Sequence, residues 1–242
     1  MEVRFVDLEQ AEPGEAVVVV DVLRAFTTVP WLLHLGASRV LAVGSRDHAR
    51  DLRATHLPGA LLAGEQGGRK VEDFDLGNSP SDLVERTLGG ATVVLRTSAG
   101  TQGLVRCQGS GLLLAASFVV AGATARLLRR QQVERVAFVV TGASLGRDGD
   151  EDLACAQLIA ARARGEDPDP GPYLRRVATS DAGRAFAPDG PDWAPPADAE
   201  MAREVDRFDH ALVAERADDV DAVEIRPRPV AVGAREPGSQ TA

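Results

Sequence analysis

Five apolar runs along the chain each end on a residue able to bind a ligand: residues 17–20 lead to Asp21, 61–64 to Glu65, 93–96 to Thr97, 112–116 to Ser117 and 138–140 to Thr141. The runs are short, rich in Val, Leu and Ala, and apolar at both alternating positions, which predicts strands covered by helices on both faces. Between them, helical patterns cover 25–35, 46–54, 80–88, 101–108, 119–131 and 151–164, the first and last closed by Gly36 and Gly165. This alternation predicts an α/β layered fold. Ligands of such folds bind outside the carboxyl ends of the strands, where the five terminal residues fall. Further strands are predicted at 3–6, 40–43, 222–225 and 230–232, and loops at 165–172 and 188–196. Peripheral helices are predicted at 173–187 and 198–215, the second strongly acidic. There is no internal repeat, so the pattern predicts one domain over 1–233 and a frayed tail over 234–242.

Composition narrows the partners. A formal charge of −9 over 242 residues argues against a nucleic-acid partner, because affinity for phosphate backbones comes from clustered Lys and Arg. The opening residues Glu2, Arg4, Asp7 and Glu9 interrupt any apolar signal core. The longest apolar reach, 112–125, contains Ser117 and Gly122 and is shorter than the roughly 20 residues that span a bilayer. The expectation is a cytoplasmic protein without a membrane partner, acting on small molecules; a homodimer is compatible with all of this. Cys107 and Cys155 form no CxxC pair and read as buried, reduced thiols. Of 27 Lys and Arg residues only Lys70 is Lys, and it follows the glycine-rich stretch 64–68.

Four strand-to-helix junctions carry candidate chemistry. In Asp21-Val22-Leu23-Arg24-Ala25-Phe26-Thr27-Thr28 a carboxylate at a strand end can hold Mg²⁺, while Arg24 and the amides of the helix start can bind an anion. The competing view is a helix cap, with Asp21 capping and Arg24 paired to it. Gly64-Glu65-Gln66-Gly67-Gly68-Arg69-Lys70 offers close backbone approach, a second hard oxygen ligand and a point charge suited to phosphate. It lacks the glycine spacing of a P-loop. Asn78-Ser79-Pro80-Ser81-Asp82 also reads as a helix start capped by Ser79. Thr97-Ser98-Ala99-Gly100-Thr101 suits an anion nest or an ordinary capped turn. The run 141–152 adds Asp148, Asp150, Glu151 and Asp152 to the same edge, together with Arg147. It also contains Gly142-Ala143-Ser144-Leu145-Gly146, a loose match to the G-x-S-x-G elbow of serine hydrolases, with His210 later in the chain. His34, His48 and His56 have no partner cluster in the pattern and read as ordinary surface or half-buried residues.

These pieces, in this order, resemble the 2-phosphosulfolactate phosphatase family, the ComB-like proteins of coenzyme M biosynthesis. The resemblance rests on Asp21-Val22-Leu23-Arg24-Ala25 with Thr27-Thr28, on Gly64-Glu65 with Gly67-Gly68 and Lys70, on Phe74-Asp75-Leu76-Gly77-Asn78-Ser79-Pro80, and on Glu151-Asp152 with Cys155-Ala156. It implies a three-layer α/β/α fold with a largely parallel central sheet, and Mg²⁺-dependent removal of phosphate from a small acid that also carries carboxylate and sulfonate groups. On that basis Asp21 and Glu65 hold Mg²⁺ with help from Asp148 or Asp152, and Asp21, Arg24 and Lys70 form the catalytic set. Arg24, Lys70 and Arg147 neutralise the anion, and Asn78, Ser79, Thr97, Ser98, Gly100 and Thr101 orient the substrate. Leu23 stands where the common aspartate-based phosphatases place an acid two residues after their nucleophile, which favours attack by metal-activated water over a phosphoenzyme. The chain departs from the family pattern at Ala99 and Val120, where Asn is usual, and at Gln66, where Arg is common. Those departures motivate a second hypothesis, a small-anion binding protein that has lost catalysis. A serine hydrolase using Ser144 is the third.

Overall fold

The computed structural model describes residues 1–231. Among these residues, ten strands and seven α-helices form a mixed α/β fold around one large sheet, mostly of parallel strands flanked by helices. In chain order the strands are β1 (Glu2–Asp7), β2 (Ala16–Val20), β3 (Arg39–Ala42), β4 (Leu61–Gln66), β5 (Arg69–Lys70), β6 (Thr92–Arg96), β7 (Leu112–Ala116), β8 (Arg135–Val140), β9 (His210–Arg216) and β10 (Val223–Pro229). The helices are α1 (Ala25–His34), α2 (Arg46–Thr55), α3 (Gly100–Arg106), α4 (Ala121–Arg130), α5 (Asp150–Ala163), α6 (Gly171–Thr179) and α7 (Pro196–Ala202). Across the sheet the order is β1-β8-β2-β7-β9-β10-β3-β6-β4-β5.

Two parallel blocks, β1-β8-β2-β7 and β3-β6-β4, are joined by the antiparallel hairpin β9–β10. The hairpin reverses strand direction between the blocks. Each strand turns by about 20–25° against its neighbour, so the six steps from β2 to β4 accumulate about 120–150°. With the sheet's curl, this brings the carboxyl ends of β2, β4 and β6 to a common rim. Residues of both blocks share one core with α1 and α3, including Val17, Val19, Phe26, Val40, Leu95, Leu104 and Leu212. Helix α1 lies inside that concave face, with all eight residues from Ala25 to Leu32 buried, as a helix covered on every side must be apolar all round. Helices α4 and α5 cover the opposite face of the first block, packed on Val18, Val20, Leu114 and Phe138. Helix α2 covers the second block through Ala49 and Leu52.

Several expectations need correction. The stretch 198–215, read as an acidic helix, forms the short α7 and then β9. Ala211 to Ala214 are all buried between sheet neighbours, and a strand covered on both faces loses the alternation that would have marked it. The predicted helix at 80–88 is only a 3-10 turn, Ser81–Leu83: its first amide is taken by a distant carboxylate, Asp198, and Gly89-Gly90 follow too soon for a stable helix. The helix expected over 173–187 is split into α6 and a 3-10 turn at Gly183–Phe186. The last strand ends at Pro229, ahead of the expected 230–232. The predicted tail, 234–242, lies outside the described residues.

Candidate active site

The strand-to-helix junctions converge on one cavity of about 260 Å³. From the β2–α1 junction come Asp21, Leu23 and Arg24, from the end of β4 Glu65, and from the β6–α3 turn Ser98 and Ala99. Thr141, Gly142, Arg147, Glu151 and Asp152 reach it from the β8–α5 connection, and Asn78 from the loop after β5. Asp181, Phe186 and Trp193, between α6 and α7, form the remaining wall.

Asp21 is 6% exposed and caps α1, its Oδ1 accepting the Ala25 N–H at 2.9 Å. Arg24, which the helix-cap reading pairs with Asp21, is paired with Asp198 instead. Behind Asp21, a Cβ on Gly100 would stand 2.6 Å from its Oδ2, so only glycine lets α3 begin this close. Burial pushes the Asp21 carboxyl up to about 6; the Ala25 amide opposes that, the Glu65 charge adds to it, and Arg147 and the Gly100 amide oppose it. Burial also holds Asp152 well above the ordinary carboxylate range, reinforced by the charges of Glu151 and Asp21, against the amides of Val22 and Gly142. Glu151 is raised as well, first by burial, with Arg147 pulling the other way. Several carboxylates thus crowd a space where their charges raise one another.

Most of these carboxylates are held in place by backbone. Glu65 accepts from the Ser98 amide at 2.5 Å, the Gly68 amide at 2.7 Å and the Ser98 hydroxyl at 3.2 Å. Asp152 accepts from the amides of Val22 and Gly142, both at 2.7 Å, and from the Thr141 hydroxyl. Three buried polar atoms on the cavity wall have no partner: Asn78 Oδ1, Arg147 Nε and Glu151 Oε2. Unpaired buried polar groups are costly and rare, and their collection at one cavity marks it as a place built for a polar ligand. Five carboxylates line it, from Asp21, Glu65, Glu151, Asp152 and Asp181, against the guanidiniums of Arg24 and Arg147.

Several expected site residues sit elsewhere. Lys70 is exposed, does not line the cavity and donates to the Phe74 carbonyl; the Gly67-Gly68 turn that precedes it, with φ of +59° and +84°, is a tight hairpin whose strand β5 aims Lys70 elsewhere. Asp148 is exposed, and its Oδ1 is taken by the amides of Asp150 and Asp181. Thr97 and Thr101 are buried and bonded to each other across the β6–α3 turn, so they fix the turn instead of facing a ligand. Ser79 gives its hydroxyl to Asp198 at 2.9 Å. Gly100 acts from behind Asp21. Gln66 is exposed and Val120 is core, neither on the cavity wall, whereas Ala99 is. Ser144 donates to the Thr141 carbonyl at 2.7 Å, while His210 Nε2 has no partner, so no Ser–His pair forms. Cys107 and Cys155 are buried and free. Among the described residues, no helix is long and apolar enough to cross a membrane.

The 2-phosphosulpholactate phosphatase family model matches residues 4–186. The chain belongs to this family. Family members called probable 2-phosphosulfolactate phosphatase share 36% identity over 154 residues in Synechococcus sp. strain RCC307, 37% over 161 in Deinococcus radiodurans and 33% over 164 in Thermoplasma acidophilum. The match to the Synechococcus protein spans 63% of this chain and 62% of that protein; for the Thermoplasma protein the shares are 68% and 72%. The family match ends at Phe186, so Trp193 and Asp198 lie beyond it. Sequence reasoning missed both, along with Phe186 and Asp181. Glu151 stands in the Glu151-Asp152 motif in the first turn of α5, one residue after Asp150, and the sequence pattern alone gives it no role.

Proposed function

We propose that the protein is a phosphomonoesterase acting on a small, multiply charged phosphoester, with 2-phosphosulfolactate the best single substrate. The observation that carries this is the convergence of three unpartnered buried polar atoms, Asn78 Oδ1, Arg147 Nε and Glu151 Oε2, around Asp21 at the strand ends. Family membership supports the reaction class.

Mg²⁺ fits the donor set. Among the described residues, no group of three or more His, Cys, Asp or Glu side chains is placed to hold a metal ion. Magnesium is commonly bound through only one or two carboxylates together with substrate phosphate and water. Asp21 and the unpartnered Glu151 oxygen would hold it first; Glu65 and Asp152 already accept three hydrogen bonds each and have less capacity left for a cation, and Asp148 lies outside the cavity. When bound, the cation supplies charge neutralisation at the phosphoryl group. Arg147 would bind a phosphoryl oxygen through its free Nε–H, and Asn78 Oδ1 would accept a hydrogen bond from the attacking water and so orient it. Trp193 and Phe186 shield the chamber from bulk water and raise the value of each charge inside it.

The test is phosphate release from a phosphomonoester panel that includes 2-phosphosulfolactate, with Mg²⁺ or with EDTA. Metal-dependent turnover, reduced by about 100-fold or more in Asp21→Asn, is expected. Binding of the phosphoester without turnover would favour the alternative of a catalytically silent anion binder, which Ala99 on the cavity wall favours.

A further inference from the structure

We propose that Asp198 is a positioning residue for the cavity: its buried carboxylate fastens the 183–202 segment to Arg24 and to the Ser79–Ser81 turn, and so fixes the aromatic wall of Phe186 and Trp193. Asp198 is fully buried. Its Oδ2 accepts from Arg24 Nη1 at 2.7 Å. Its Oδ1 accepts from the Ser79 hydroxyl at 2.9 Å, the Ser81 amide at 3.0 Å and the Ser81 hydroxyl at 2.6 Å. One carboxylate therefore joins three segments that are distant in sequence. A charged acceptor with both oxygens occupied is a strong and directional tie.

Arg24 extends the tie to the wall itself. Its Nη1 also donates to the Trp193 carbonyl and its Nη2 to the Gly68 carbonyl, both at 2.8 Å. The guanidinium lies 5.3 Å from the Phe186 ring centroid and 6.0 Å from that of Trp193, and the two rings meet nearly edge to face. Trp193 in turn covers Gly68, where a Cβ would come within 2.4 Å of the ring. Arg24 thus spends its charge on Asp198 and serves as the pin around which the wall is assembled. Losing the Asp198 charge would leave that guanidinium buried and unpaired, and the segment would have reason to open.

The effect on catalysis rests on the phosphatase reading, but the effect on the wall does not. The experiment compares the full chain with Asp198→Asn, Asp198→Glu and Ser81→Ala by amide hydrogen exchange and by steady-state kinetics with 2-phosphosulfolactate. In Asp198→Asn, amides of 183–202 should exchange about tenfold faster while those of α4 keep their protection. Ser81→Ala, which leaves the ion pair whole, guards against a variant that fails to fold and should show a smaller acceleration confined to the same segment. Asp198→Glu should recover part of the protection. KM should rise by about tenfold in Asp198→Asn with kcat within about threefold, because Asp21 and Arg147 are untouched. Unchanged exchange in 183–202 for both Asp198→Asn and Ser81→Ala, or acceleration spread evenly over α4 and the sheet, would overturn the proposal. So would a fall in kcat at constant KM. If the wild-type chain turns over no phosphoester, the phosphatase reading fails while the exchange results still decide this one.

Discussion

At the scale of residues, the site is shaped by which oxygens are left unpaired, not by how many acids are present. Glu65 and Asp152 spend both oxygens on neighbouring amides and hydroxyls, which fixes them as parts of the cavity wall. Gly100 sets how close α3 can stand to Asp21, since its missing Cβ would meet Asp21 Oδ2 at 2.6 Å and Ala25 Cβ at 2.9 Å. Gly100→Ala is therefore expected to displace the Asp21 carboxylate and lower phosphate release by about 10- to 100-fold. Far-ultraviolet circular dichroism should stay native, because Gly100 is the first residue of α3 and the rest of the helix is unchanged. Equal activity in the two proteins would show that Asp21 tolerates the shift. The place of Asp21, Glu65, Asn78, Ser98, Arg147 and Asp152 at one cavity was legible in the sequence because strand ends and Gly turns mark junctions. Lys70 and Asp148 misled because charge alone carries no direction. Asp198 was illegible: its partners lie 117, 119 and 174 positions away, and no local pattern encodes such a contact.

At the scale of elements, the hairpin β9–β10 decides the shape of the sheet. It pairs antiparallel with β7 on one side and β3 on the other, so within the sheet the hydrogen bonding that joins the two parallel blocks runs through it. The five apolar runs announced their strands because each is buried on both faces and punctuated by turn residues. The same double burial hid β9, whose run Ala211-Leu212-Val213-Ala214 carries no period that separates strand from helix. Leu212 sits in the core shared by both blocks, with no exposure. Leu212→Ala should lower unfolding stability by about 2–5 kcal/mol, as cavity-forming core substitutions do. Urea unfolding would measure it, with the midpoint shifted and the slope unchanged. A loss below about 0.5 kcal/mol, the range of ordinary surface changes, would mean that the hairpin is not packed as a central pair of strands.

For the whole molecule, the crowded carboxylates couple folding to pH and, on the proposed function, to a bound cation. Asp21 is raised to about 6 from an ordinary value of 3.8, chiefly by burial, and Asp152 and Glu151 are raised too. A carboxyl whose folded pKa lies above its unfolded one is protonated more readily in the folded state, so the folded chain binds more protons through this window. Stability of the cation-free protein should therefore be greatest, as far as these groups decide it, below about pH 4 and decline as pH rises through about 6. Other carboxyls run the opposite way: Asp73 is held at about 2 by its hydrogen bond to Arg50, yet both partners are well exposed, and screening leaves little of that term. Its contribution also changes only below the unfolded carboxylate range, at more acid pH. His210, held below its ordinary value by burial, pulls the other way within this window, but it is one half-buried group against three raised carboxyls, so the net expectation is a Tm that falls between about pH 5 and 7.5 in EDTA. A divalent cation that binds the ionised carboxylates of the folded state reverses the slope, raising Tm more at pH 7.5 than at pH 5, because at the lower pH it must compete with protons. Asp21→Asn should flatten the EDTA profile and weaken the Mg²⁺ response together. Thermal scans of both proteins across that range test the coupling directly, and a wild-type Tm in EDTA that climbs from pH 5 to 7.5 would show that the buried acids are not what limits the cation-free fold.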